Sequence, residues 1–400
     1  MRSGEATLFA ALCTAACSGG SNAPTFDVVP GDNVVALSVD GIHCGSGAPS
    51  YVNQPCVSVT ICEPGTSSCQ TIDDVLLDTG SVGLRVFKQV LAVSLPLASS
   101  PGGGSLAECV QYADMTADWG PVAMADVVLA NEPAVRVPIQ VIDATFGSVP
   151  SSCTSPETGP SSLNGVLGVG VFVEDCGAPC PVQANMYFAW NGSTTTGVTV
   201  DSSSQVQNPV ALLPLDNNGI IVTLPDVPGA GALAVEGSLV LGIGTRANNV
   251  PVQATALRLD GYGEFTTTVA GGSAIPGSFV DTGSNGFFFA PPASITPCGD
   301  YPDWFCPSVT LSYSGTNGPS PGYPGAASQV HFQIGNFDAL VVRPTNGNGV
   351  FAQIGGGAVP SAGFDWGLPF FLGRTVYLGI DGRPTSLGTG PVLAYQEAAP

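Results

Sequence analysis

Short runs in which apolar and polar residues alternate recur along most of the chain. They are clearest at Val35 to Val39, at Val57, Val59 and Ile61, at Val135, Val137 and Ile139, and at Leu239, Leu241 and Ile243. A two-residue period turns successive side chains to opposite faces of a pleated ribbon, so each run predicts a half-buried β-strand. Helical spacing is scarce. The best short candidate is Val86 to Leu95, which Pro96 would end. The expected class is therefore all-β.

The pattern also repeats over a long period. Val75-Leu76-Leu77-Asp78-Thr79-Gly80-Ser81 matches Ser278-Phe279-Val280-Asp281-Thr282-Gly283-Ser284. Each copy is followed, at similar distance, by a second echo. In the first half this is Val166-Leu167-Gly168, then Val171-Phe172; in the second it is Asp365-Trp366-Gly367, then Phe370-Phe371. Two features recurring at nearly equal separation predict two related lobes.

Composition changes this picture little. Glycine (53) and proline (35) are frequent, but 44% of residues are apolar, which fits turn-rich β structure better than disorder. The chain of 400 residues is long enough for two cores. Charge excludes more. Nine Lys and Arg face 30 Asp and Glu, a formal charge of −21 with no basic cluster, so nucleic acid and anionic lipid are not expected partners. That negative charge fades in acid, which predicts better tolerance of acid than of alkali.

The opening MRSGEATLFAALCTAAC has a positive end, a brief apolar stretch and small residues before Cys17. It resembles a bacterial lipoprotein signal, residues 1–17, with a polar tether over 18–32. By that resemblance Cys17 would carry the lipid; plain secretion and a mistaken start codon are the other readings. No downstream run is apolar for long enough to span a membrane, so any membrane contact is expected through this anchor alone. Setting aside Cys13 and Cys17 leaves an even number of cysteines, as disulfides in an exported chain require. Near neighbours predict Cys62 with Cys69, Cys176 with Cys180, and Cys298 with Cys306. Cys44, Cys56, Cys109 and Cys153 would share two more bridges in an order left open. No metal site is expected, because no Cys-x-x-Cys pair or nearby His accompanies Cys176 and Cys180.

The repeated Asp carries the candidate chemistry. A strand delivers the carboxylate to a cleft, Gly80 or Gly283 permits a tight turn, and the hydroxyl of Ser81 or Ser284 can hold the carboxylate in plane. Thr79 and Thr282 complete each string. Two such carboxylates brought together cannot both ionise cheaply, so they share a proton and titrate as a pair. One then serves as general base on a water while the other donates a proton, with no cofactor needed.

The two Asp-Thr-Gly-Ser strings, each with its later apolar-Gly strand, resemble the pepsin-like aspartic peptidases. The resemblance runs from about Asn33 to the C-terminus. It implies a bilobal fold of residues 33–246 and 247–400, the first lobe closed by a strand at Leu239 to Gly244. Asp78 and Asp281 would be the catalytic pair. Tyr112, with Asp114, would lie on a flap hairpin whose return strand carries Gly120 and Asp126. The tryptophan that backs the flap tyrosine in that family is Arg85 here, and the usual flap glycines are Ala113 and Met115. The segment from Asn53 to Val86 and the run Gly363 to Phe371 are also similar to a bacterial exported family known only as a domain of unknown function.

A monomeric endopeptidase acting on peptide or unfolded protein is the expected function. An inactive pepsin-fold lipoprotein that binds peptide or protein is the alternative, and a structural surface domain the third. Arg85 is expected to face solvent rather than the cleft. His43 and His331 read as structural, and Trp119 as either a flap support or a core residue. Gly102 to Gly104 and Gly355 to Gly357 read as loops. Asp365 takes the place of Val166 in the repeat and is expected to bond backbone, outside the site.

Overall fold

A computed structural model of the protein describes residues 30–41, 51–184, 186–290, 295–343, 347–357 and 363–396. The expected signal 1–17 with Cys17, most of the tether 18–32, His43 and Cys44 lie outside them. The described chain is all-β. A 15-stranded sheet and a 7-stranded sheet make up nearly all of it, and they curl in barrel-like fashion.

The long sheet draws on both ends of the chain. Val34–Asp40 pairs antiparallel with Gln54–Cys62 on one side and Val235–Leu241 on the other. From there the sheet continues through Gly219–Thr223 to Thr375–Gly379, Val392–Gln396 and Thr255–Arg258. The smaller sheet uses only residues between Phe265 and Trp366. All four alternating runs of the sequence lie in strands or at a strand's end: Val34–Asp40, Gln54–Cys62, Val135–Ile142 and Val235–Leu241. Their apolar members Leu37, Val59, Val137 and Leu239 are fully buried in one core.

The predicted helix at Val86 to Leu95 does not form. Val86 and Phe87 end the strand Val82–Phe87, and only one 3₁₀ turn, Lys88–Val90, follows. That strand lies between Gly165–Val169 and Val135–Ile142, so sheet pairing and burial of its β-branched and aromatic residues override a weak helical spacing. Gly355–Gly357, expected as a loop, is a short strand beside Phe287–Phe289.

The sequence repeat is a structural one. Gly165–Gly168 runs parallel to Val75–Asp78 and antiparallel to Val82–Val86, so it threads between the strand that delivers Asp78 and the one that leaves it. Asp365–Trp366 threads in the same way between Phe279–Val280 and Phe287–Phe288. Glycine is required at the end of both threads. A Cβ on Gly168 would stand 2.6 Å from Val82 N, and one on Gly367 2.1 Å from Gly286 O.

Cys62–Cys69, Cys176–Cys180 and Cys298–Cys306 are bridged as the sequence predicted. Cys109–Cys153 is a further bridge, and Cys56 is also disulfide-bonded. These bonds fit an exported protein. Among the described residues no helix is long and apolar enough to cross a membrane.

Candidate active site

Asp78 closes the strand Cys69–Asp78, and Asp281 directly follows Ala274–Val280. Each strand becomes buried toward its end, with Leu77 and Val280 part of the main core. The two loops that follow are locked to one another. Thr79 N donates to Thr282 Oγ1 and Thr282 N to Thr79 Oγ1, both at 3.0 Å. The same hydroxyls donate across to Val280 O at 3.2 Å and Leu77 O at 2.6 Å. Each threonine thus accepts from one strand of the opposite half and donates to it, a reciprocal lattice with two-fold character.

The lattice brings the carboxyls together. A methyl group on Gly80 would come within 2.6 Å of the Asp281 carboxyl carbon. Gly80 N donates to Asp78 Oδ1 at 2.8 Å and Gly283 N to Asp281 Oδ1 at 2.7 Å. Ser81 Oγ donates to Asp78 Oδ2 at 2.5 Å. Burial first, then the facing Asp78 and Asp365, push the Asp281 carboxyl well above the usual range. All eight residues of the two strings therefore lie in one site.

On the second side there is one carboxyl more than expected. Ser284 Oγ lies 2.9 Å from Asp281 Oδ2 and also 2.6 Å from Asp365 Oδ2. Asp365 is therefore bonded to a site side chain rather than to backbone, and belongs with the dyad. Burial raises it to about 8.

The expected flap is the hairpin Ser105–Gln111 and Ala117–Val128. Tyr112 begins its tip, but its hydroxyl donates to Asp118 Oδ2 at 2.7 Å, and burial together with Asp118 raises its pKa. Asp114 accepts from Thr116 N and Oγ1 within the exposed tip. Trp119 does not back the tyrosine; it is buried against Phe188, and its Nε1 donates to Phe146 O at 2.9 Å.

Arg85 does not face solvent, contrary to expectation. Only 1% exposed, its guanidinium binds Glu108 at 3.1 Å and Asp175 at 2.9 Å, and Nη1 donates to Val82 O at 2.6 Å. Tyr187 donates to the other Asp175 oxygen at 2.8 Å. A buried cation needs such partners, and here both carboxylates come from segments distant in sequence.

Two residues of the site carry no sequence signal. Tyr51 keeps 37% of its surface exposed, yet its hydroxyl donates to Gly283 O at 3.1 Å, and desolvation of that hydroxyl with Asp281, Asp114 and Asp78 nearby raises its pKa. Asn53, fully buried at φ 60°, donates to Asn285 O and Phe351 O and accepts from Phe351 N. It pins the first half to the loop just after Asp281, in a left-handed conformation that asparagine tolerates. Beside the lattice, a cavity of about 250 Å³ reaches Thr79 and Gly80 and is lined by Val171, Phe172, Tyr262 and Phe265.

Chemically, the site is a pair of contacting carboxyls with oriented hydroxyls and backbone donors. Among the described residues no group of His, Cys, Asp and Glu could hold a metal ion. Over residues 30–395 the chain matches the family described as "Protein of unknown function (DUF3443)", and it belongs to that family. No curated protein matches it.

Proposed function

We propose that this family member is a pepsin-like aspartic endopeptidase, with two β lobes over residues 33–246 and 247–400 and a dyad of Asp78 and Asp281 between them. It works as a monomer outside the cytoplasm, held at the envelope through a lipid on Cys17. The observation that carries the reading is the reciprocal Thr79 and Thr282 lattice. Such bracing is costly to build around two carboxyls unless their contact is used, because like charges at that distance repel and one must keep a proton.

The substrate would lie as an extended strand under the Ser105–Gln111 and Ala117–Val128 hairpin. Asp281, whose proton affinity is raised, holds the shared proton. Asp78 takes a proton from the bound water, whose oxygen attacks the scissile carbonyl carbon. Asp281 gives its proton to the carbonyl oxygen, forming a neutral gem-diol. Collapse returns one hydroxyl proton to Asp281 and passes the Asp78 proton to the amide nitrogen, which leaves as the amine.

Digestion of a denatured protein across acidic pH, beside Asp78→Asn and Asp281→Asn, tests this. Cleavage by the wild type and loss in both variants is the expected result. Equal residual cleavage in all three removes the dyad. The second reading, a binder that does not cut, is favoured by the tie of Tyr112 to Asp118 and by Ala113 and Met115 at the flap tip; peptide binding without cleavage at any pH would select it.

A further inference from the structure

We propose that Asp365 stands as a neutral carboxylic acid that donates to Ser284 and so fixes the direction of the Ser284 hydroxyl toward Asp281, making it a positioning residue for one half of the dyad. The inference rests on the peptidase reading for its kinetic consequence but not for its chemistry.

The argument is a count of protons. Ser284 Oγ has a single hydrogen, yet it lies within hydrogen-bond distance of two carboxyl oxygens, 2.9 Å from Asp281 and 2.6 Å from Asp365. Two ionised carboxylates there would leave one close oxygen–oxygen contact without a proton. One of the two acids must therefore be the donor. Asp281 shares its own proton with Asp78, and its Oδ1 accepts the Gly283 N–H at 2.7 Å, so Asp281 Oδ2 meets Ser284 as an acceptor only. Asp365 Oδ1 is sealed from water and has no hydrogen-bond partner among the described residues. An ionised Asp365 would place charge on that orphan oxygen, whereas the acid leaves only a carbonyl lone pair unused.

The surroundings agree. Asp365 is flanked in the sheet by Ala274–Val280 and Phe287–Phe289, which carry no charged side chain. The titratable groups facing it are Asp281, Asp78 and Tyr51, and none supplies a positive charge. The first half shows the contrast. There Ser81 serves Asp78 alone, and the place of Asp365 is taken by Val166, which pairs with Leu76 as Asp365 pairs with Phe279.

The arrangement is a directed chain, from the Asp365 hydroxyl to Ser284 Oγ and from the Ser284 hydroxyl to Asp281 Oδ2. A second hydrogen bond behind the serine polarises the first and stops the hydroxyl from turning away.

The test has two independent arms. In infrared difference spectra of the purified protein at about pH 6, above the range in which ordinary aspartates titrate, wild type minus Asp365→Asn should show the carbonyl band of a protonated carboxylic acid. Its absence overturns the inference whether or not the protein cuts peptides. If the band is present and no peptide is cut, the peptidase reading falls and the proton placement stands. In the kinetic arm, Asp365→Val should lower kcat about fivefold with KM little changed, the scale of one hydrogen bond. Asp365→Asn, whose amide can still donate to Ser284, should restore it. In a Ser284→Ala background Asp365→Val should have no further effect. Equal loss in Asn and Val, or loss that persists without Ser284, would mark Asp365 as merely structural and overturn the positioning role. Near-identical circular dichroism of the variants guards against misfolding.

Discussion

The two halves of the site share a backbone and differ in the side chains behind it. In the first half Arg85 pairs across the strands with Val166; in the second Phe288 pairs with Asp365. Each pair holds one ionisable residue, on opposite strands and of opposite sign. Arg85 is met by Glu108 and Asp175, and its pKa is raised, so it stays charged. Asp365 has a hydroxyl and no cation, and its pKa is raised too, which for an acid means that it keeps its proton. Burial alone therefore does not decide the charge of a group in this fold; its partners do. The backbone repeat sets where the dyad sits, while the unequal flanks distinguish its members.

The comparison can be broken most forcefully at the dyad itself. Asp78→Asn and Asp281→Asn should each reduce cleavage by about 10²–10⁴-fold, the worth of acid–base assistance, and assays of kcat/KM would read it. A loss confined to one variant would mean that the halves are not partners in one reaction. Next in size is Arg85→Leu, which leaves the buried Glu108 and Asp175 side chains facing each other without their cation and should cost about 3–5 kcal/mol in urea unfolding. Phe288→Leu, at the matching place, should cost only about 1–2 kcal/mol, because Phe288 is half-buried and the change removes apolar contact with Trp304 but strands no charge. Equal costs would deny the asymmetry.

The lattice tests the shared part. Thr79→Val and Thr282→Val each remove a hydroxyl that bonds the opposite half, and each should cost about 1–3 kcal/mol, by similar amounts. A separate effect is one of pH. Because folding raises the Asp365 pKa, its contribution to stability is fully present below the ordinary value of 3.8 and fades as pH climbs toward about 8. Asp365→Asn cannot titrate, so its melting temperature should gain on the wild type over that window and not below it. Glu157, raised to about 7 by burial and by Asp118 and Asp114, acts in the same sense, in keeping with the expected preference for acid.

Much of the fold was legible because strand period and the Asp-Thr-Gly-Ser repeat are local patterns. Val57, Val59 and Ile61 announce their strand without help from the rest of the chain. Arg85 does not announce its burial, since Glu108 and Asp175 stand 23 and 90 residues away and nothing nearby marks them as its partners. Asp365 aligned with a valine and so looked incidental; only the threading of its strand puts it behind Ser284. Tyr51 and Asn53 belong to no motif, and their roles arise from where the chain crosses to Gly283 and Phe351. Cys109 and Cys153 were two of four cysteines that spacing alone could not pair.

The long sheet has a consequence for a chain emerging from the ribosome. Val34–Asp40 must wait for Val235–Leu241, and Gly219–Thr223 for Thr375–Gly379, before their edges are paired. Such distant partners make folding slow, because loop closure precedes the contacts that reward it. The loop bearing Asp281 in turn needs Asp365–Trp366 beside it. A nascent chain thus cannot bring its two aspartates together until almost its whole length has been made, so the site is assembled last.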